Sequence, residues 1–145
     1  MTTETYVVAY EGDDDSTKVL DYAMASASKA GAKLYLVHIL EWSPYSFLTP
    51  TEIEERTMRR KEELARAKSV IIDPALAKVT AAGLEAEGVI KYGSVVELVA
   101  ETASTVGASM IFVGRSGSNS ISSRVFGSVP LGLAQIAPVP TVIVP

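Results

Sequence analysis

The sequence predicts a single α/β domain in which a mainly parallel, five-stranded sheet carries helices on both faces. Strand-like and helix-like patterns alternate along the chain, and five short apolar runs typical of strands are separated by helical segments. The 145 residues are 48% hydrophobic, which is enough for one globular core. Because consecutive parallel strands need a crossover connection, this alternation implies right-handed crossovers and helices that cover both faces.

The first predicted elements are a strand, a helix and a second strand. Thr5 to Tyr10 is a β-branched and aromatic run typical of a buried strand. A helix is predicted from about Thr17 to Ala30, with N-cap candidates in the acidic run before it and Gly31 at its end. Lys33 to Leu40 forms the second predicted strand.

The middle of the chain is predicted to be largely helical. Glu41 to Pro50 is interpreted as a loop, after which Thr51 opens a charged helix and Glu54 completes a capping box. Asp73-Pro74 interrupts this helix, because a proline costs about 3 kcal/mol inside a helix but little at a first helical position. We therefore expect a break or kink there, followed by a second helical piece to Ala82.

The C-terminal half continues the alternation. Its predicted elements are a third strand (Leu84 to Tyr92, with Gly88 as a candidate bulge), a helix (Ser94 to Val106, ended by Gly107), a fourth strand (Ser109 to Val113), a last helix (Ser128 to Ile136) and a fifth strand (Val139 to Val144).

Composition excludes several classes of protein. No apolar run approaches the roughly eighteen residues of a membrane span, and the N-terminus lacks the basic region of a signal peptide. The absence of cysteine excludes disulfides and thiolate metal sites. A formal charge of −4 argues against nucleic-acid binding, which needs a basic face. We expect a cytoplasmic protein without membrane insertion.

The strongest functional signal is a glycine-rich segment after the fourth predicted strand. Gly114-Arg115-Ser116-Gly117 is followed, after nine residues, by Gly127-Ser128 at the start of the last helix. Glycines let backbone amides approach a phosphate, and a helix N-terminus adds free N–H donors and a favourable dipole. The chain has neither the Gly-Lys-Ser/Thr of a P-loop nor a G-x-G-x-x-G after the first strand. On local chemistry alone, an anion-binding loop and an ordinary turn with a helix cap stay equally open.

The spacing G-x2-G-x9-G-S closely resembles the nucleotide-binding signature of the ATP-binding branch of the universal stress protein family. Further similar segments are the first strand and turn (Val7–Gly12), the second strand (Leu34–Ile39), the turn and helix before the fourth strand (Gly93–Val99) and the closing strand (Pro138–Val144). The resemblance implies one Rossmann-like sandwich domain over residues 1–145 with strand order 3-2-1-4-5. In such a sheet a ligand binds beyond the strand ends where the winding direction changes, here between strands one and four.

The resemblance also implies which residues hold the nucleotide. These are Tyr10, Glu11, Ile39, Val113, Gly114, Arg115, Gly117, Gly127, Ser128 and Val129. Glu11 stands where the family more commonly has an aspartate that contacts the nucleoside, and its carboxylate can accept a ribose hydroxyl. The backbone of Ile39 and Val113 would meet adenine, and Arg115 would offset phosphate charge. The alternatives are an exposed turn glutamate, two ordinary core residues and a solvent-facing arginine.

An acidic run precedes the first predicted helix. Asp13, Asp14 and Asp15 are interpreted mainly as helix caps and dipole partners, and Asp13 stands where the family commonly has serine. The alternative is that they help to hold Mg²⁺ near the phosphates through water. The expected cofactor is ATP, or ADP or AMP, with Mg²⁺.

Catalytic signals are weak. His38, the single histidine, lies in an apolar strand and is interpreted as a core or sheet-edge residue rather than a general base. The serines of the glycine-rich segment could accept a phosphoryl group, but small, solvated loop residues are the favoured interpretation; they are Ser118, Ser120, Ser122 and Ser123.

The predicted function is that of an ATP-binding stress-response regulator, a homodimer whose binding to an unidentified protein partner changes with nucleotide state. The resemblance implies that the C-terminal strand, Val139 to Val144, pairs with its twin across a two-fold axis, which would also protect an apolar sheet edge. Two alternatives stay open. One is a slow ATPase or autophosphorylating protein, and the other is an interaction dimer that does not bind nucleotide.

Overall fold

The computed structural model describes residues 3–40, 49–115 and 128–145, which form a five-stranded sheet with helices on both faces. The strands are β1 (Thr5–Ala9), β2 (Lys33–Leu40), β3 (Ala86–Tyr92), β4 (Met110–Gly114) and β5 (Thr141–Val144). The helices are α1 (Asp14–Ala30), α2 (Pro50–Arg66), a π-helical turn (Ala67–Ile72), α3 (Asp73–Ala81), α4 (Val95–Val106) and α5 (Ser128–Ile136).

The strand order is β3-β2-β1-β4-β5 and every strand pair is parallel. The predicted fold class and strand order are therefore confirmed. The boundaries of β2 and α5 agree with prediction, whereas β3 and β5 each begin two residues later than expected. Within the described ranges, no helix is both long and apolar enough to cross a membrane.

The core consists of two layers, one on each face of the sheet. Successive strand residues point to opposite faces, so Val7 and Val8 are both fully buried but belong to different layers. One layer packs the sheet against α1, the π-helical turn and α3, with Leu20 and Phe112 among its largest members. The other packs it against α4 and α5, around Val99 and Leu133.

The N-terminus of α1 is fixed by a side-chain cap. Asp13 is the N-cap, and its Oδ1 accepts a hydrogen bond from the backbone N–H of Ser16 at 2.8 Å. This confirms the interpretation of Asp13 as a cap and moves the start of the helix from the expected Thr17 to Asp14. Gly31, with a φ of +69°, ends the helix as predicted.

The capping box of α2 lies two residues earlier than predicted. Thr49 is the N-cap: its Oγ1 accepts from the N–H of Glu52 at 3.2 Å, and the Glu52 carboxylate accepts from the N–H of Thr49 at 3.4 Å. The predicted start at Thr51 with Glu54 is wrong. Pro50 explains the shift, because its fixed φ and missing N–H suit the first turn of a helix.

The predicted interruption at Asp73-Pro74 takes the form of a π-helical turn. The N–H of Asp73 donates to the carbonyl of Lys68, five residues earlier, and Pro74 then lies in the first turn of α3. The extra residue in this turn lets one side chain approach the chain that follows β1 and the next side chain approach the sheet. Ile71 lies against Gly12, and Ile72 lies against Gly88.

Gly88 does not form the predicted bulge. The pairing of β2 with β3 runs without interruption from Leu34 opposite Ala86 to Leu40 opposite Tyr92. A Cβ at Gly88 would lie 2.9 Å from Cγ2 of Ile72, so the absence of a side chain at Gly88 lets the π-helical turn pack closely on β3. A close approach of this kind is the other common reason for glycine in a strand.

Candidate functional site

A pocket of about 490 Å³, including its open mouth, lies at the carboxyl edge of the sheet between the ends of β1 and β4. This is where the strand order changes direction. Its apolar wall is formed by Ala9, Val37, Ile39, Val95, Val113 and Val129. The remaining described lining residues are Tyr10, Glu11, Asp15, Ser16 and Gly114.

The topology brings these residues together from six elements or their ends. Parallel strands finish at the same edge, so the end of β1 lies beside Val37 and Ile39 of β2 and Val113 of β4. Val95 is the first residue of α4, and Val129 lies in the first turn of α5. The apolar wall therefore continues the core layer that these helices share with the sheet.

The turn between β1 and α1 (residues 10–13) is held by a buried serine. Ser16 is 5% exposed, and its Oγ accepts a hydrogen bond from the N–H of Glu11 at 2.9 Å. The N–H of Ser16 donates in turn to Asp13. The Asp13 carboxylate is thus occupied by the helix cap, whereas Glu11 and Asp15 line the pocket.

His38 supports the same turn from the neighbouring strand. Its side chain is 6% exposed, and Nδ1–H donates to the carbonyl oxygen of Tyr10 over 2.8 Å. The histidine is not among the described lining residues. Its predicted role as a core residue is therefore confirmed, and it fixes the backbone of Tyr10 at the pocket.

The charged lining residues that the structure describes are both carboxylates, Glu11 and Asp15. Arg115 is exposed beyond β4, where its backbone N–H donates to the Val144 carbonyl at 2.9 Å. Among residues 3–40, 49–115 and 128–145, no group of three or more acidic or histidine side chains could hold a metal ion. The described part of the pocket can therefore accept hydrogen bonds from hydroxyl or amino groups beside an apolar surface.

The predicted binding residues are partly brought together. Around this one pocket lie Tyr10, Glu11, Ile39, Val113, Gly114 and Val129. Arg115 is outside it, and Ser128 begins α5. Gly117, Gly127 and the four serines of the glycine-rich segment lie outside the described residues.

Comparison with known proteins settles the family. Residues 3–145 match the model of the universal stress protein family. The chain belongs to this family. Among curated universal stress proteins, YxiE of Bacillus subtilis is 27% identical over 142 residues, which cover 95% of this chain and 96% of YxiE.

Solved universal stress proteins share the fold. UspA from Lactobacillus plantarum superimposes with a TM-score of 0.83 at 19% identity, over 100% of both chains. A universal stress protein from Archaeoglobus fulgidus, solved in complex with dAMP, gives a TM-score of 0.63 at 22% identity, with 99% of this chain and 98% of that chain covered. At these identities the similarity shows the fold alone.

Several lining residues are not predicted from the sequence. Val37 could have been found, because it lies two positions before Ile39 and so on the same face of β2. Val95 and Ser16 carry no local signal, since each lines the pocket only because a helix starts beside it. Asp15 has two chemically identical neighbours in the sequence, and only the position of the cap at Asp13 distinguishes the three residues.

Proposed function

We propose that this universal stress protein binds an adenine nucleotide at the pocket between β1 and β4 and acts in the cytoplasm as a nucleotide-dependent homodimeric regulator of a protein partner. The ligand is ATP, ADP or AMP, with Mg²⁺ on the phosphates of the longer nucleotides. The observation that carries the proposal is the pocket itself, an apolar wall with carboxylates on one side at the point where the strand order reverses. The dAMP bound by the Archaeoglobus fulgidus relative lends support.

We assign each part of the ligand to the part of the pocket that suits its chemistry. The base packs on the wall near Ile39 and Val113, whose backbone groups meet its edge. The ribose lies towards Glu11, because a carboxylate accepts hydroxyl donors. Phosphates would be repelled by that carboxylate, and they point instead to the glycine-rich segment from Gly114 to Ser128, with Arg115 as a neutralising cation.

A larger side chain on the apolar wall is expected to weaken nucleotide binding. In Val95→Phe, the added ring atoms enter the space assigned to the base, so affinity for AMP, ADP or ATP falls at least about tenfold. Isothermal titration calorimetry with each nucleotide, with and without Mg²⁺, measures this. Binding by the unmodified protein also raises its melting temperature by mass action.

Val106→Phe is the matched control. Val106 is the last residue of α4 and packs on the same core layer, but it does not line the pocket. Its substitution is expected to cost stability without a loss of affinity. If the unmodified protein gives neither heat nor a melting shift with any of the three nucleotides at millimolar concentration, the proposed function is wrong.

The homodimer is proposed to form through Val139 to Val144. The outermost strand, β5, pairs with β4 on one side, and Ile143 is 47% exposed on it. Among the residues that the structure describes, no strand pairs with its other edge. An edge with apolar side chains templates pairing with another strand, so a second copy is the natural partner for it.

Placing a charge on this edge is expected to give monomers. Ile143→Lys puts an ammonium group into the proposed contact, and light scattering coupled to size exclusion should then report 15.4 kDa instead of twice that mass. Met58→Lys is the control, because Met58 is 64% exposed on α2 and should leave the dimer intact. A monomeric unmodified protein, or a dimer that tolerates Ile143→Lys, would contradict the proposed interface.

A further inference from the structure

Two buried polar side chains hold the peptide group that joins Tyr10 to Glu11 at the pocket. The carbonyl oxygen of this peptide accepts a hydrogen bond from Nδ1–H of His38 at 2.8 Å, and its N–H donates to Oγ of Ser16 at 2.9 Å. His38 belongs to β2, and Ser16 lies in the first turn of α1. Both polar groups of one peptide are therefore bound by side chains from two different elements.

The burial of these two side chains is unusual within the protein. In residues 3–40, 49–115 and 128–145, three polar or charged side chains are buried, and they are Ser16 (5% exposed), His38 (6%) and Thr102 (2%). The Thr102 hydroxyl donates to the Leu98 carbonyl of its own helix at 2.7 Å, whereas the other two converge on a single peptide group. Because a buried polar group needs such a bond to offset its desolvation, the two side chains and the peptide fix one another.

The turn between β1 and α1 needs this support because one of its residues is a glycine. The N–H of Tyr10 pairs with the Val37 carbonyl at 2.9 Å, one residue beyond the end of β1. Gly12, two residues later, has a φ of +90° and the wide backbone freedom of glycine. Rotation of the Tyr10–Glu11 peptide between these points would break both side-chain bonds at once. Since Tyr10 and Glu11 line the pocket, the orientation of this peptide shapes the edge of the pocket.

We propose that His38 and Ser16 are positioning residues that preset the pocket for the nucleotide. When the peptide is free to rotate, only a fraction of the molecules has the binding conformation, and the apparent dissociation constant rises in inverse proportion to that fraction. This cost falls on the association rate, because the complex, once formed, keeps its contacts. The inference rests on the proposed function and deepens it, because it gives a role in binding to His38, which is not among the described lining residues.

The test compares His38→Leu with His38→Asn. The two replacements have the same branched skeleton, but asparagine places an N–H donor near the position of Nδ1, where leucine has a methyl group. Surface plasmon resonance measures the binding of AMP, ADP and ATP to each variant. We expect His38→Leu to lower the affinity about fivefold or more, mainly through slower association, and His38→Asn to retain most of it.

Thr102→Val is the matched control for the loss of a buried polar group. It replaces a hydroxyl by a methyl group within α4, and Thr102 is not among the described lining residues. This variant should melt at a lower temperature but bind nucleotide as the unmodified protein does. The double variant His38→Leu/Ser16→Ala then asks whether the two side chains act on the same peptide. Since either single change already frees the peptide, the double variant should lose less affinity than the product of the two single losses.

Hydrogen exchange of the nucleotide-free protein, followed by NMR, gives a readout that does not depend on binding. The Glu11 amide should exchange slowly in the unmodified protein and about tenfold or more faster in His38→Leu, although its acceptor, Ser16, is unchanged. His38→Asn and Thr102→Val should both keep the slow exchange.

Three results overturn the inference and leave the proposed function standing. They are an equal loss of affinity in His38→Leu and His38→Asn, a loss that lies in the dissociation rate alone, and an unchanged exchange rate of the Glu11 amide in His38→Leu. Should His38→Leu fail to fold, Ser16→Ala carries the same comparison, and association as fast as in Thr102→Val would overturn the inference. Failure of the unmodified protein to bind any of the three nucleotides would instead overturn the proposed function.

Discussion

Replacing Phe112 by alanine is expected to lower the free energy of unfolding by about 3–5 kcal/mol. Phe112 is 1% exposed at the centre of β4, and its ring lies 5.4 Å from that of Tyr6 and 6.2 Å from that of Tyr22. Alanine would leave a cavity between the sheet and α1, and a sheet paired on both sides of β4 cannot move to close it. Urea denaturation measures the loss.

Tyr22→Ala is the comparison for this prediction. Tyr22 contacts the same phenylalanine ring but is 54% exposed, so its removal forfeits one aromatic contact, worth about 0.5–1.5 kcal/mol, and leaves no enclosed cavity. The two substitutions should therefore differ by more than about 1.5 kcal/mol. Equal losses would contradict the packing of α1 over β4, and an altered slope against urea would point to a change in the unfolded state.

The fold could be predicted from the sequence because its signals are local. Short apolar runs mark the strands, and left-handed glycines such as Gly31 and Gly107 mark the ends of helices. The misassigned features depend on partners distant in sequence or on competing local signals. A glycine in a strand such as Gly88 is typical of a bulge, and only the structure shows that Ile72 occupies the space beside it. Two overlapping capping boxes are possible at the start of α2, and Pro50 favours the earlier one.

The candidate site was predictable to the extent that topology determines it. In a doubly wound sheet the end of β1 and the end of β4 must border the switch point, so Glu11 could be named in advance from topology, whereas Val113 could be named only from the family resemblance. The contribution of the helices could not. Three consecutive aspartates are chemically equivalent in sequence, and the rotation of α1 set by the Asp13 cap directs Asp14 to solvent and Asp15 to the pocket.

Gly12→Ala is expected to lower the free energy of unfolding by about 2–4 kcal/mol, from two separate sources. Gly12 has a φ of +90°, a conformation that a residue with a Cβ rarely adopts. Its Cβ would also lie 2.9 Å from Cγ2 of Ile71, and a β-branched side chain in a helical turn has little freedom to move aside. Because Gly12 follows Glu11, a weaker nucleotide affinity should accompany the loss of stability.

Three further variants, Gly31→Ala, Ile71→Ala and the double variant Gly12→Ala/Ile71→Ala, separate these sources. Gly31 has a φ of +69° with no atom within 4 Å of its would-be Cβ, so Gly31→Ala should incur only the conformational cost of about 1–2 kcal/mol. In the double variant Gly12→Ala/Ile71→Ala the steric part disappears. The losses of unfolding free energy in Gly12→Ala and in Ile71→Ala should therefore add up to about 1 kcal/mol or more above the loss in the double variant. If Gly12→Ala instead costs no more than Gly31→Ala, and the double variant shows no such coupling, the π-helical turn does not press on the turn between β1 and α1. The extra residue in that turn would then serve only to accommodate Pro74.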